Sequence, residues 1–360
     1  MTEKPAPEGG AASEQETRFE VNTSRQFESW LAELNINLAF TTYQVGKLFF
    51  FGVAKDGRLA IFNRNLERCM GLAYADNQLV VAGLYQIYSF VDAAANEPMD
   101  GPYDSLFVPQ SGSITGDVDA HDVGIGSGGG ILFVNTLFSC IATTSGTHSF
   151  RPVWKPPFID RLAAEDRCHL NGFAIKNGKP AYATAVAETN LADGWRDHRG
   201  DGGVILDCKR DEVVAAGLSM PHSPRLNGKT LYVHNSGTGH FGRVDLKTGA
   251  FEPIAFLPGY LRGLDFIDRY AVVGLSKQRK NRTFSGLELD ANLESHKSTA
   301  RCGVYVIDLK SGDIVHWAQI EGVVDELFDV AVLPGRRNTA AIGFRSDEIR
   351  RVISIEPTDG

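Results

Sequence analysis

Nowhere in the 360-residue sequence does an apolar run approach the roughly 18–20 residues that a membrane helix needs, so no membrane span is expected. Positive charge is scarce. Lys and Arg total 36 against 44 Asp and Glu, a net charge of −8. That balance does not favour nucleic acid or an anionic membrane as a partner. Cysteine is sparse and odd in number. Its five positions (69, 140, 168, 208 and 302) are scattered and form no CxxC. This argues against a disulfide framework and suits a reducing cytoplasm. The opening "MTEKPAPEGGAASEQETR" lacks a basic start and an apolar core. It is expected to be a disordered tail over 1–16, not a secretory signal. No Rossmann unit is expected either, because "GSGGG" at 126–130 joins two strand-like runs and opens no helix. "NSGTG" has no strand-to-helix elbow, so serine hydrolase chemistry is not expected.

What is present is glycine, 38 residues of it, among short strand-like runs. "KLFFFGV", "QLVVAGL", "ILFVNTL", "PAYATAV", "TLYVHNS", "YAVVGLS" and "TAAIGF" are bounded by turn residues. Each follows another short strand across a tight turn, as in "FAIKNGKPAYAT" and "PRLNGKTLYV". Further hairpins such as "GVYVIDLKSGDIVHW" complete a four-stranded antiparallel meander. Aligning the first strands places Met70, His121, Asn171, His222, Arg262 and Phe328 in one slot, at spacings of 51, 50, 51, 40 and 66 residues. A repeat of this kind is an all-β propeller. With a further unit starting at "LAFTTYQVGKLFFFG", seven blades are favoured and six remain possible. The domain is expected over 17–357, closed by an outer strand from "TRFEVNTS". A helix over "SRQFESWLAELN" is expected to lead into the first blade.

The loops are uneven. Long insertions near 148–168, 187–203 and 277–301 fall at one end of the blades and read as a lid and substrate wall. First strands of a propeller line its channel, so residues at their starts face the axis near that mouth. His121, His169 and His222 are the candidate metal ligands, from three successive blades. Imidazole suits Fe(II), Zn(II), Mn(II) or Cu(II) better than Ca(II). The divalent metal expected is Fe(II) first, with Zn, Mn or Ca as alternatives. Asp122, Glu326 and Asp329 are candidate catalytic carboxylates at strand starts. Arg262, Tyr260, Trp195, Arg167 and Asn171 are the candidate substrate contacts, Arg262 as an anion binder.

The stretches "TGDVDAHDV", "EDRCHLNGFA", "DGWRDHRGDGG", "GLSMPHSPR", "FLPGYLRGLDF" and "ELFDVAVLPG" resemble an uncharacterised bacterial family of propeller-like proteins, over residues 36 to 345. More distantly, "HLNGFAIKNGKPAYAT" is similar to the Asn-Gly strand start of gluconolactonase-like propellers. That resemblance implies a channel-mouth cation held by Asn, Asp and Glu, with Asn171 as the matching position. A looser likeness to seven-bladed oxygenases implies iron held by imidazoles on the axis. The leading expectation is a cytoplasmic metal-dependent enzyme acting on a small-molecule or peptidyl substrate, with oxygenase or hydroxylase chemistry ahead. A hydrolase, lyase or epimerase of the gluconolactonase-like type is the alternative, and a non-catalytic binding propeller is the third.

Overall fold

The structure is a computed structural model, and it describes residues 19–94, 101–277 and 285–353. The expected tail over 1–16 lies outside them, as does the end of the expected domain. Six antiparallel sheets form six blades, each written here from the axis outward. Blade one is Val330–Pro334, Ile36–Thr42, Lys47–Val53 and Leu59–Asn65; blade two is Leu72–Ala75, Gln78–Ala82, Gln86–Asp92 and Ser105–Ile114. Blade three is Ala120–Ile125, Ile131–Asn135, Cys140–Thr143 and Arg151–Trp154; blade four is Leu170–Lys176, Lys179–Ala185, Gly203–Asp207 and Glu212–Leu218. Blade five is Pro221–Asn227, Thr230–Asn235, His240–Val244 and Phe251–Phe256; blade six is Tyr260–Ile267, Tyr270–Ser276, Gly303–Asp308 and Ile314–Gly322. The six innermost strands touch their neighbours in a closed ring.

The expectation of seven blades is corrected to six. The first and last sequence units are two parts of one sheet. Val330–Pro334 pairs with Ile36–Thr42 and supplies the innermost strand of blade one. "TAA" at Thr339–Ala341 is not a second strand of a further blade, because it pairs parallel with Ser105–Ile114 on the rim of blade two. Closure therefore comes from the C-terminal strand. Phe19–Thr23 adds a fifth, outer strand to blade six at Ile314–Gly322. The expected helix spans Phe27–Leu34 and ends at Asn35, which takes the left-handed conformation. Phe27, Trp30 and Leu31 bury its apolar face between blades six and one.

Alternation within the strands explains the packing. Phe49 and Phe51 face blade six, while Leu48 and Phe50 face blade two. The same period-two rule fills every junction. Separate apolar clusters lie between blades two and three, three and four, four and five, and five and six. Each blade buries both faces, so the core is a ring of six interfaces and the axis is left to polar groups.

Near the axis the blades work in pairs. The residue after the slot is Asp329, Asp122 and Ser223 in blades one, three and five, and Gly71, Gly172 and Gly263 in blades two, four and six. Asp329 accepts the Leu72 N–H at 2.9 Å, Asp122 the Phe173 N–H at 3.0 Å, and Ser223 the Gly263 N–H at 3.0 Å. The hydroxyls of Thr41, Thr136 and Ser236 donate to the carbonyls of Met70, Leu170 and Leu261 across the same junctions. The other junctions use close backbone approach. A Cβ on Gly263, whose φ is +70°, would fall 2.6 Å from the Val330 nitrogen. Gly57, with φ +83°, has open space instead. Gly57→Ala should therefore cost only left-handed strain, about 1–2 kcal/mol. Gly263→Ala should cost clearly more in urea unfolding. Equal costs would mean that the close approach relaxes freely.

Candidate active site at the lid-covered mouth

The innermost strands begin at one end of the channel. In ring order from blade one they deliver Phe328, Met70, His121, Asn171, His222 and Arg262 to the axis. In blades two to five the residue two positions earlier is left-handed. Arg68 has φ 48°, Asp119 52°, His169 48° and Met220 48°. Such backbone is costly for residues with a side chain and tends to persist where surrounding structure or function demands it. His169 thus occupies this earlier position in blade four, and Asn171 holds the slot.

Each imidazole is held through Nδ1. The Asp119 carbonyl lies 2.9 Å from His121 Nδ1, and the Met220 carbonyl 2.8 Å from His222 Nδ1. Asp166 Oδ2 lies 2.9 Å from His169 Nδ1. A carbonyl can only accept, so Nδ1 carries the hydrogen in His121 and His222 and Nε2 keeps its lone pair. Thr136 gives its own hydrogen to the Leu170 carbonyl and so accepts at His121 Nδ1, 2.9 Å away, which fits the same tautomer. Burial pushes His121 down to about 4, with His169 and Arg262 pressing the same way and Asp119 opposing. Burial, then the Arg262 charge, hold His222 well below the ordinary histidine value. Both rings are neutral at pH 7. Burial pushes Asp119 upward, but His121, His169 and Arg68 outweigh it and the carboxyl sits below its ordinary value.

The rings are not equally grouped. His121 and His169 meet edge to face with centroids 4.8 Å apart. His222 instead packs on Tyr260 at 5.4 Å, with the Tyr260 hydroxyl 3.4 Å from its Nδ1. The Arg262 guanidinium lies 4.3 Å from the Phe328 ring centre and 5.3 Å from that of Tyr260. Glu326 is buried two residues before Phe328. Among the described residues, no group of three or more His, Cys, Asp or Glu is disposed to hold a metal ion. Imidazole nitrogen is a donor type that divalent transition metals accept; His121 and His169 are in ring contact, and His222 interacts electrostatically with both.

Described parts of the three insertions pack at this mouth, residues 278–284 of the third lying outside the described residues, and the first is shorter than expected. Arg151–Trp154 is the outer strand of blade three, so the connection itself begins at residue 155. Trp195, 2% exposed, stacks on His169 at 4.2 Å and donates its indole N–H to Asp166 Oδ2 at 2.8 Å. Leu287, Leu289 and Leu293, on and beside the helix Glu288–Ser295, pack with Trp195, Met220 and Tyr260. Asn292 ties that helix to the Thr238 carbonyl at 2.9 Å. Arg167 does not reach the imidazoles. It clasps Glu165, Asp160 and Asn190 and holds the first two insertions together. Cys168 points into the core between blades three and four, where burial pushes its thiol up to about 12.

Asp122 and Asp329 face a different layer. Asp122 accepts both terminal nitrogens of Arg225, at 2.7 and 2.8 Å. Asp329 lies 3.8 Å from the same guanidinium and accepts the Leu72 and Val330 N–H groups, each at 2.9 Å. Arg225 therefore bridges blades five, three and one across the channel. It partitions the imidazole mouth from a cavity of about 210 Å³ at the far end, beside Tyr74, Ile125 and Leu264. Burial pushes Asp329 up to about 8, against Arg225 and helped by Asp122. Sequence reasoning missed Arg225, Thr136 and the Arg68–Asp119 pair at 2.6 Å. One signal was available: an arginine at slot plus three, inside an otherwise channel-lining strand.

A family model described as a domain of unknown function, DUF4915, matches residues 25–342. No relative among curated proteins matches the sequence. Of solved structures, one described as a nidogen/laminin complex is similar with a TM-score of 0.52 and 12% identity, covering 83% of this chain and 99% of that one. A protein of unknown function from Bacteroides caccae gives a TM-score of 0.48 and 11% identity, covering 83% and 98%. At such identities the first likeness speaks to the propeller fold alone.

Proposed function

Because the chain belongs to the DUF4915 family, a domain of unknown function, its chemistry has to be argued from the site, and we propose that the lid-covered mouth is the active site of a metal-dependent enzyme. The substrate is a small molecule or peptidyl group held near Arg262, Tyr260 and Asn171. His121 and His169 hold a divalent metal through Nε2, with Fe(II) ahead of Zn(II), Mn(II) and Ca(II). Such a metal would supply either dioxygen chemistry or a polarised water and carbonyl. The oxygenase or hydroxylase reading stays ahead of a hydrolase, lyase or epimerase, because only Asn171 corresponds to the Asn, Asp and Glu set of gluconolactonase-like propellers. Five free thiols support a cytoplasmic setting.

One observation carries the reading. All three imidazoles are fixed at Nδ1 by an oxygen acceptor. For His121 and His169 this is the outer-shell arrangement that orients metal-binding imidazoles. Both rings are buried at 8% exposure, which strengthens any charge interaction inside.

Elemental analysis of the purified full chain tests it. Near-stoichiometric metal is expected, reduced to background in His121→Ala and in His169→Ala, and retained in His222→Ala. Circular dichroism should show the ring intact in all three. Protein that stays metal-free under anaerobic Fe(II) and Zn(II) loading would remove the proposal. A second reading, a non-catalytic binding propeller, is favoured by the backbone carbonyls at His121 and His222, since such bonds also serve purely structural histidines.

A further inference from the structure

The two imidazoles in contact at the mouth have unlike partners. His169 Nδ1 faces a carboxylate, Asp166 Oδ2, at 2.9 Å. His121 Nδ1 faces two neutral oxygens, the Asp119 carbonyl and the Thr136 hydroxyl, each at 2.9 Å. A carboxylate is nevertheless close at hand. Asp119 Oδ2 lies 3.5 Å from the same nitrogen, beyond a normal hydrogen bond. Charge-assisted bonds are shorter and stronger than neutral ones, so an unrestrained carboxylate there would displace the neutral acceptors. Something has to hold it off the ring.

Arg68 does so. It precedes the inner strand of blade two and reaches across to the residues that precede the inner strand of blade three. One terminal nitrogen donates to Asp119 Oδ1 at 2.6 Å and the other to Asp117 Oδ2 at 2.7 Å. The fork thus has two anchors, and the guanidinium lies 5.3 Å from the Tyr43 ring centre. Arg68 and Asp119 are both left-handed, with φ 48° and 52°. Backbone of that kind persists only where its surroundings fix it. Ion pairs near the surface add little to stability. This one, with side chains 24% and 27% exposed, matters for which oxygen reaches His121.

We propose that Arg68 is a positioning residue for His121: by clasping the Asp119 carboxylate it reserves the His121 Nδ1–H for the Asp119 carbonyl and the Thr136 hydroxyl. The two rings then differ in donor strength at Nε2. A carboxylate behind an imidazole strengthens it as a ligand more than a neutral oxygen does. His169 is the stronger donor of the pair and His121 the weaker. That inequality rests on reading both rings as metal ligands, whereas the clasp itself needs no metal.

Nitrogen-15 and proton NMR of the full chain, stripped of metal by a chelator, tests it through the His121 Nδ1–H resonance. Arg68→Met should move that resonance downfield, the direction of a stronger bond, as the carboxylate takes over. Adding Asp119→Asn should return it, and asparagine tolerates the left-handed backbone at that position. Asp119→Asn alone should leave the resonance at its wild-type place, because the carboxylate is not in use there. Arg68→Lys, which keeps a cation beside Asp119, should also leave it in place. An arginine that only braces the fold would disturb the ring with or without the carboxylate, so the double variant would not recover. A resonance unmoved in Arg68→Met overturns the clasp. So does an upfield move in Asp119→Asn, which decides the matter even if Arg68→Met does not fold. Metal content is read on the same proteins before stripping. The predicted shifts in protein that takes up no metal sink the metal proposal alone, and an unmoved resonance in Arg68→Met whose wild type carries metal sinks the clasp alone.

Discussion

Arg225→Met should destabilise the ring by about 3–5 kcal/mol, the cost of leaving partners of a buried ion pair uncompensated. For a ring of this size that is a fall of roughly 4–7 °C in Tm. The reason is geometric. Arg225 gives both terminal nitrogens to Asp122 and lies 3.8 Å from Asp329. Both carboxyl groups are 3% exposed and also cap backbone N–H groups of neighbouring blades. Without the guanidinium Asp122 keeps only the Phe173 N–H, and Asp329, whose folded value is about 8, holds its proton at pH 5.5 but not at pH 8.5, so the loss should be larger at pH 8.5 than at pH 5.5. Adding Asp122→Asn should recover part of it, because the amide oxygen can still accept the Phe173 N–H. Asp329 has its own pH signature. Its folded value, about 8, lies above the ordinary carboxylate value near 3.9. The native state therefore holds the extra proton between those limits, and this group's contribution to stability is lost as pH rises through them. Asp329→Asn removes that contribution, so its stability relative to the wild type should improve over the same interval. Urea unfolding across pH reads both effects. A cost below about 1 kcal/mol for Arg225→Met at neutral pH would place the partition outside the structural core.

That partition marks where sequence reading stops. Strand runs, hairpin turns and the six slot residues are visible in the chain, because alternation and turn chemistry are local. Blade number is not local. Whether Val330–Pro334 begins a new sheet or completes the first depends on pairing with Ile36–Thr42, nearly 300 residues away. The pairing of blades had a trace: Met70 to Asn171 and His121 to His222 are both separated by 101 residues. A one-blade alignment conceals it, since it compares Asp122 with Gly172 when the equivalent residues are Asp122 and Ser223. Asp122 is expected to be catalytic as a carboxylate at a strand start, and the structure pairs it with Arg225. That contact, 103 positions away, and the one residue of strand register between Asp122 and His121 are not local signals. His121, Asn171, His222 and Arg262 were legible as a set because one rule positions all four. The contacts of His222 with Tyr260 and Met220 were not, because side-chain packing decides them.

The second large effect is expected at Asp166. Its Oδ2 accepts both the His169 Nδ1–H at 2.9 Å and the Trp195 indole N–H at 2.8 Å. One carboxylate oxygen therefore sets the tautomer of a candidate metal ligand and latches the lid residue stacked over it. Asp166→Ala removes both roles. Metal affinity should fall by about 10–100-fold, the usual consequence of losing a carboxylate behind an imidazole ligand. Two buried donors would be left unmet, at about 1–3 kcal/mol each unless the lid opens to water. Opening is the cheaper course, so amide exchange should accelerate in 187–203 and 285–301 while the blades stay protected. Asp166→Asn separates the two roles. Its amide can keep an oxygen at the shared position, which retains the latch but loses the charge that strengthens both bonds. Lid protection in Asp166→Asn should stay close to the wild type, and metal affinity should fall between wild type and Asp166→Ala. Nitrogen-15 NMR of the His169 ring gives a readout independent of metal: an Nδ1–H protected by its hydrogen bond in the wild type and in Asp166→Asn, and fast-exchanging in Asp166→Ala. Metal affinity that stays at the wild-type value in Asp166→Ala while the lid loosens would show that Asp166 serves the cover alone, and that His169 needs no orienting partner.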